Sequence, residues 1–196
     1  MQLFFALLAL VALAGGVGVI ALRLSPSPAG HRLGAAIAEY ATWLAWLVAA
    51  TATAGSLYFS EVANLPPCRL CWFQRICMYP LSAILLVGAI RRDRAVAWYA
   101  LPLAAVGIVI SSYHYLIEWY PSLEKTSCDP VTPCTVVWFR RFGFVSLPFM
   151  AGCGFLAIIA LLSCRYRPAD DDLTIDDFAD DDFADDDLTI AQLEEH

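Results

Sequence analysis

Two pairs of cysteines carry the chemistry open to this chain. Cys68-Arg69-Leu70-Cys71 is a Cys-x-x-Cys motif, and Cys128-Asp129-Pro130-Val131-Thr132-Pro133-Cys134 holds a second pair six residues apart. Paired thiols store two electrons as the difference between dithiol and disulfide, and the thiolate is the form that exchanges. Pro66 and Pro67 block helix before the first motif, so a helix is expected to start near Cys71. There the positive end of the helix dipole and the guanidinium groups of Arg69 and Arg75 favour the thiolate. The second pair, with prolines limiting the segment between its thiols, is expected as an exposed loop disulfide open to attack by another protein's dithiol. Static disulfides are the plainer alternative for either pair. A zinc site built from Cys68, Cys71, Cys128 and Cys134 is another, but it gives Arg75 no role.

Gln74 and Arg75 follow Cys71 by three and four residues, a spacing that puts all three on one helix face. Arg75 then lies one turn into an apolar run, where a cation is costly unless it snorkels to the interface or has a partner. A quinone carbonyl would supply one, since a guanidinium donates hydrogen bonds and stabilises the charge that grows during reduction. A lipid phosphate would also serve. His114, beside Ser111, Ser112 and Tyr113, stands where it could reach a quinone head group or help move protons. An interhelical hydrogen bond is its plainer role. Cys77, Cys153 and Cys164 lie in apolar stretches and are expected as core fillers. Trp72, Tyr79, Trp119 and Tyr120 fit an interfacial aromatic belt.

The elements that must position these residues are membrane spans. The 196-residue chain is 60% hydrophobic, and runs near 2–22, 35–59, 72–90, 96–117 and 146–163 each approach the roughly 20 residues that cross a hydrocarbon core. The expected fold is an all-α integral membrane protein, a four-helix transmembrane bundle plus one extra N-terminal transmembrane helix. Division of the chain follows: an anchor and linker over 1–34, the bundle over 35–165, and a tail over 166–196. Arg23, Arg32, Arg91, Arg92, Arg94, Arg165 and Arg167 collect on one side with few acids in the short loops. Arg69, Arg75, Lys125, Arg140 and Arg141 fall on the other side, balanced by Glu61, Glu118, Glu124 and Asp129. The first side is therefore expected to be cytoplasmic, with the amino terminus and both cysteine pairs outside, where disulfides persist. Ala12-Leu13-Ala14 could pass for a signal-peptidase site. That reading would invert every later span and put both pairs in the cytoplasm.

The net charge of −7 describes only the tail, because residues 170–196 hold 13 of the 19 acids and no Lys or Arg. Its repeats, Asp-Phe-Ala-Asp-Asp at 177–181 and 182–186, are too charged and too poor in apolar residues to fold alone. A solvated cytoplasmic tail is expected. The rest of the chain has no basic, aromatic-interleaved surface, so a nucleic-acid partner is not expected.

Two cysteine pairs on one side, one in a loop and one at the bilayer, form a relay between a protein dithiol and a lipid-soluble oxidant. Four ordered segments then carry a resemblance: Gly55–Glu61, Pro67–Leu81, Ser112–Leu116 and Phe142–Pro148. They are similar to the disulfide bond formation protein B family, especially its short-loop BdbC-like branch, over about residues 40–162. The resemblance implies a bacterial inner or plasma membrane protein. It implies that Cys68 and Cys71 are reoxidised by a quinone (ubiquinone or menaquinone), with Cys71 beside the ring and Arg75 as the quinone-binding arginine. It also implies that Cys128 and Cys134 are the second pair, Cys128 forming the mixed disulfide with a DsbA-like thioredoxin-fold disulfide oxidase. The extra amino-terminal span, the acidic tail and the short second loop depart from the pattern. Gln74 stands where some members carry an acid. A vitamin K epoxide reductase-like enzyme shares the bundle and both pairs but not this motif order. A non-catalytic scaffold with structural disulfides or a metal is the alternative from another class.

Overall fold

A backbone in hydrocarbon has no water to bond, so each crossing segment must satisfy its own N–H and C=O groups, and a helix does so along its length. The computed structural model of the protein describes residues 1–24, 28–93, 95–124 and 132–165. Five α-helices fill them: α1 Gln2–Leu24, α2 Pro28–Leu57, α3 Arg69–Ile90, α4 Val96–Trp119 and α5 Leu147–Arg165. A π-helical turn, Tyr58–Val62, continues α2, and a 3-10 turn, Pro121–Leu123, follows α4. Among the described residues there is no β-strand, only an isolated bridge between Arg141 and Val145. Cys128, most of the Ser25–Gly30 linker and the acidic tail lie outside the described residues or carry no described side chain.

The all-α membrane bundle is as expected, with one difference. Four of the helices, α1, α3, α4 and α5, are long and apolar enough to cross a membrane. The expected fifth span, near 35–59, is the 30-residue α2. Thr51, Thr53 and Ser56 dilute its apolar character, although it packs as a full member of the bundle.

Helices α2, α3, α4 and α5 form a closed ring in which each packs on two neighbours, and α1 lies outside it against α5 and α2. Small residues allow the close approach, as in membrane bundles generally. Ala41, Ala45 and Ala49 make a fully buried stripe on α2, and Ala97, Ala100, Ala104 and Gly107 make one on α4. A β-carbon on Gly107 would lie 2.3 Å from the Phe155 ring of α5, so that glycine is the socket for the largest fully buried side chain. Gly16 plays the same part for α1, where a β-carbon would sit 3.2 Å from the Ala157 backbone. Large apolar side chains such as Leu7, Val11, Ile76, Val87, Val106 and Val109 face outward, the surface a lipid solvent requires.

Alternation of direction brings the starts of α1, α3 and α5 and the ends of α2 and α4 to one end of the bundle. Contacts between Phe5 and Phe59, Cys68 and His114, and Ser146 and Glu118 hold that end together. Cys77 and Cys153 are buried in the apolar core, and Cys164 packs at its edge, as expected of fillers.

Candidate redox site

Helix α3 starts at Arg69, two residues before Cys71, and the reason is chemical. Cys68, extended at φ −72° and ψ 173°, is its N-cap, and the Cys68 sulfur accepts the backbone N–H of Cys71 at 3.4 Å. It is therefore Cys68 that takes the positive end of the helix. The two Sγ atoms are in hydrogen-bond contact at 3.1 Å and both thiols are free. The Cys71 thiol bonded to the Cys68 sulfur, and His114 beside it, hold the Cys68 thiol well below the usual thiol range, against the opposing effect of burial.

His114, on α4 and 2% exposed, is the hub of a buried polar cluster. Its Nε2 lies 3.1 Å from the Cys134 carbonyl oxygen and 3.7 Å from the Cys68 sulfur. Its Nδ1 lies 3.4 Å from the Gln74 side-chain nitrogen. Since that nitrogen can only donate, Nδ1 accepts and Nε2 carries the proton, aimed at both the carbonyl and the sulfur. A small cavity of about 10 Å³, room for roughly one water, lies among Cys68, Cys71, His114 and Glu118. Glu118, one turn beyond His114, accepts a hydrogen bond from the Ser146 hydroxyl.

A larger cavity of about 330 Å³ opens on the other side of Cys71. Apolar side chains of α1, α2, α3 and α5 make most of its wall, and its polar groups gather near Cys71: Ser56, Gln74, Arg75 and Tyr79. Arg75 is buried and is held by Ser56 of the last turn of α2. Its Nε donates to the Ser56 hydroxyl at 2.9 Å and its Nη2 to the Ser56 carbonyl at 2.9 Å. The guanidinium also stacks 5.2 Å above the Trp72 ring. Tyr79, expected in an aromatic belt, points inward and donates to the same Ser56 hydroxyl at 3.4 Å. Nothing in the residue pattern marks Ser56 as a holder of Arg75, because the two are 19 residues apart on different helices.

Of the residues expected in the site, Cys68, Cys71, Arg75, His114 and Cys134 come together at one end of the bundle, and Cys128 lies outside the described residues. Cys71 lines both cavities, Cys68 only the smaller, and His114 does not line the larger. Cys134 is disulfide-bonded and 1% exposed, which corrects the expectation of an exposed loop pair at this residue. Its loop folds back over the bundle end, held by Arg140 stacked 4.1 Å over Trp119 and by Phe139 against Phe59 at 5.4 Å. The bonded sulfur of Cys134 offers no thiolate, so the four-cysteine zinc set is not assembled. Cys68, Cys71 and His114 do bring three possible ligand atoms within 4.8 Å of one another.

An all-α membrane bundle that caps a helix with a free Cys-x-x-Cys, between a buried histidine and an apolar cavity, defines a membrane disulfide oxidoreductase. Residues 38–164 match the family described as Disulfide bond formation protein DsbB, and the chain belongs to that family. It is 45% identical over 126 residues to Probable disulfide formation protein C 2 of Bacillus anthracis, covering 64% of this chain and 90% of that protein. It is similarly related to the Probable disulfide formation protein of Oceanobacillus iheyensis, 44% identical over 126 residues, with 63% and 87% covered. The Probable disulfide formation protein of Coxiella burnetii is 42% identical over 125 residues, with 63% and 83% covered. No solved structure matches the chain. The match begins at residue 38, so α1 stands outside the family region.

Proposed function

We propose that the protein reoxidises an extracytoplasmic thioredoxin-fold thiol oxidase and passes the electron pair to a membrane quinone. The observation that carries this reading is the position of Cys71, shared between the small polar cavity and the large apolar one that also holds Arg75. A partner dithiolate attacks the Cys128–Cys134 disulfide, leaving the partner oxidised and the loop pair reduced. The loop dithiol then attacks the Cys68–Cys71 disulfide, which becomes the dithiol.

The residues of the large cavity fit a quinone: an apolar body with a guanidinium and a phenol at the end where Cys71 opens. A quinone bound there, ubiquinone or menaquinone, would take up the two electrons and two protons released as the Cys68–Cys71 disulfide reforms. Arg75 would hold the carbonyl oxygen and stabilise charge on it. Cys68, the stabilised thiolate, suits the role of leaving group in exchange with the loop pair, and His114 suits proton transfer at its sulfur. His114 thus serves the thiols, and Gln74 fixes its tautomer.

The cysteine end of the bundle faces outside a bacterial plasma membrane, with residues 166–196 in the cytoplasm as a tail separate from the 35–165 bundle. The balance of Lys and Arg supports this orientation. The test is quinone reduction by purified protein in detergent, supplied with a reduced thioredoxin-fold dithiol protein. Turnover in the natural chain and none in Cys71→Ser is the expected result. No turnover with either quinone class, in folded protein with both pairs oxidised, would count against it.

A further inference from the structure

Helix α1 lies outside the region matched by the family, yet it supplies part of the wall of the large cavity through Phe5, Leu8 and Ala12. These residues stand at positions i, i+3 and i+7, one stripe along the helix. The stripe begins at the polar end. Phe5 lies so close to Gly55 that a β-carbon there would be 2.8 Å from its ring, and Gly55 precedes Ser56, the holder of Arg75. From there the cavity follows α2 back to Leu47, nine residues and roughly 13 Å along the helix axis. The polar groups near Cys71 occupy one end, and the continuation beside Leu8 and Ala12 is apolar apart from Thr51. Such a shape suits a ligand with a redox ring at one end and a hydrocarbon chain at the other.

Resting on the quinone reading above, we infer that α1 is the tail-binding wall of the quinone site and sets its preference among quinones by tail. Without α1, that side of the cavity would be bounded by lipid. With it, the chain adjoining the ring packs against protein side chains, whose size discriminates among tails. In hydrophobic pockets a mismatch of one methylene changes discrimination by about tenfold or more.

The experiment measures KM for a long-tailed isoprenoid quinone and for its tailless ring analogue in the full-length protein and in Ala12→Phe. The ratio of the two KM values is expected to rise about tenfold in the variant. An unchanged ratio in folded protein overturns the inference. As a check free of any packing change from the larger ring, the natural protein is also irradiated with a quinone carrying a photoreactive group on the first part of its tail. Label between Phe5 and Ala12 supports the wall, and label confined to α2–α5 during normal turnover overturns it. No quinone turnover in the natural protein would overturn the function itself, and the wall with it.

Discussion

Arg75 grips Ser56 at both ends, its Nε on the hydroxyl and its Nη2 on the backbone carbonyl, each at 2.9 Å. This double contact ties α3 to the last turns of α2 and aims a buried guanidinium at the cavity that Cys71 opens into. A cation at that depth needs such a partner, since an unpaired charge in low dielectric is heavily penalised.

Ser56→Ala removes the hydroxyl contact and leaves the carbonyl, so Arg75 stays in place but loses its fixed orientation. Quinone reduction is expected to fall about tenfold, equivalent to about 1.4 kcal/mol of barrier. Thiol exchange with the partner should change much less, because Cys68 faces the other cavity. Arg75→Ala should show the same split more strongly. Stopped-flow absorbance of the quinone and mass spectrometry of the partner separate the two steps. Equal loss of both, in folded protein, would remove Arg75 and Ser56 from the quinone step.

The Cys68 thiol is held low by the Cys71 thiol first and by His114 second. In the reduced protein, Cys68 should therefore react with iodoacetamide at about pH 6, well below the ordinary thiol range near 8.5. His114→Ala should move the midpoint of that reaction upward and slow it at the same pH. The linked stability has a definite sign. With the folded value depressed, the contribution is fully present above the ordinary thiol range and is lost as pH falls through the folded value. Alkylation read by peptide mass spectrometry checks the midpoint. An unmoved midpoint in His114→Ala would show that His114 does not act on this sulfur.

Cys134 is covered, and what covers it can be loosened. Arg140 stacks 4.1 Å over Trp119 and helps hold the loop that carries Cys134 down on His114. A cation–π contact of this kind is worth about 0.5–1 kcal/mol at partly exposed sites. Arg140→Ala should accordingly speed reduction of the Cys134 disulfide by a partner dithiol about two- to fivefold. Quenched-flow trapping of the mixed disulfide measures the rate. A slower reaction would mean that the closed loop is the reactive form.

Much of this architecture was legible in the residues. Apolar runs and intervening arginines located the helices, because length and polarity are what a bilayer selects. The Cys-x-x-Cys with Gln74 and Arg75 was legible as one helix face. What escaped were relations set by packing between helices. The Cys68 cap escaped because a cysteine sulfur can itself cap a helix, which the Pro66-Pro67 pattern did not reveal. Ser56 escaped because its partner is on another helix. Burial of Cys134 escaped because loop composition alone does not show that Phe139 and Arg140 anchor the loop.

Gly107 tests whether the ring of helices is as closely fitted as the α4–α5 contact implies. The Phe155 ring occupies the space a β-carbon would need, at 2.3 Å, and Phe155 is fully buried, so it has no outward path. Gly107→Ala should therefore destabilise the bundle by about 1–3 kcal/mol, the usual cost of overfilling a packed core, despite the better helix propensity of alanine. Gly18→Ala is the matched control, since nothing lies within 4 Å of its added carbon. Thermal unfolding of both variants in the same detergent measures the difference. If the two behave alike, α4 and α5 are free to move apart, and the positions of His114 and Glu118, also on α4, are not fixed by this packing.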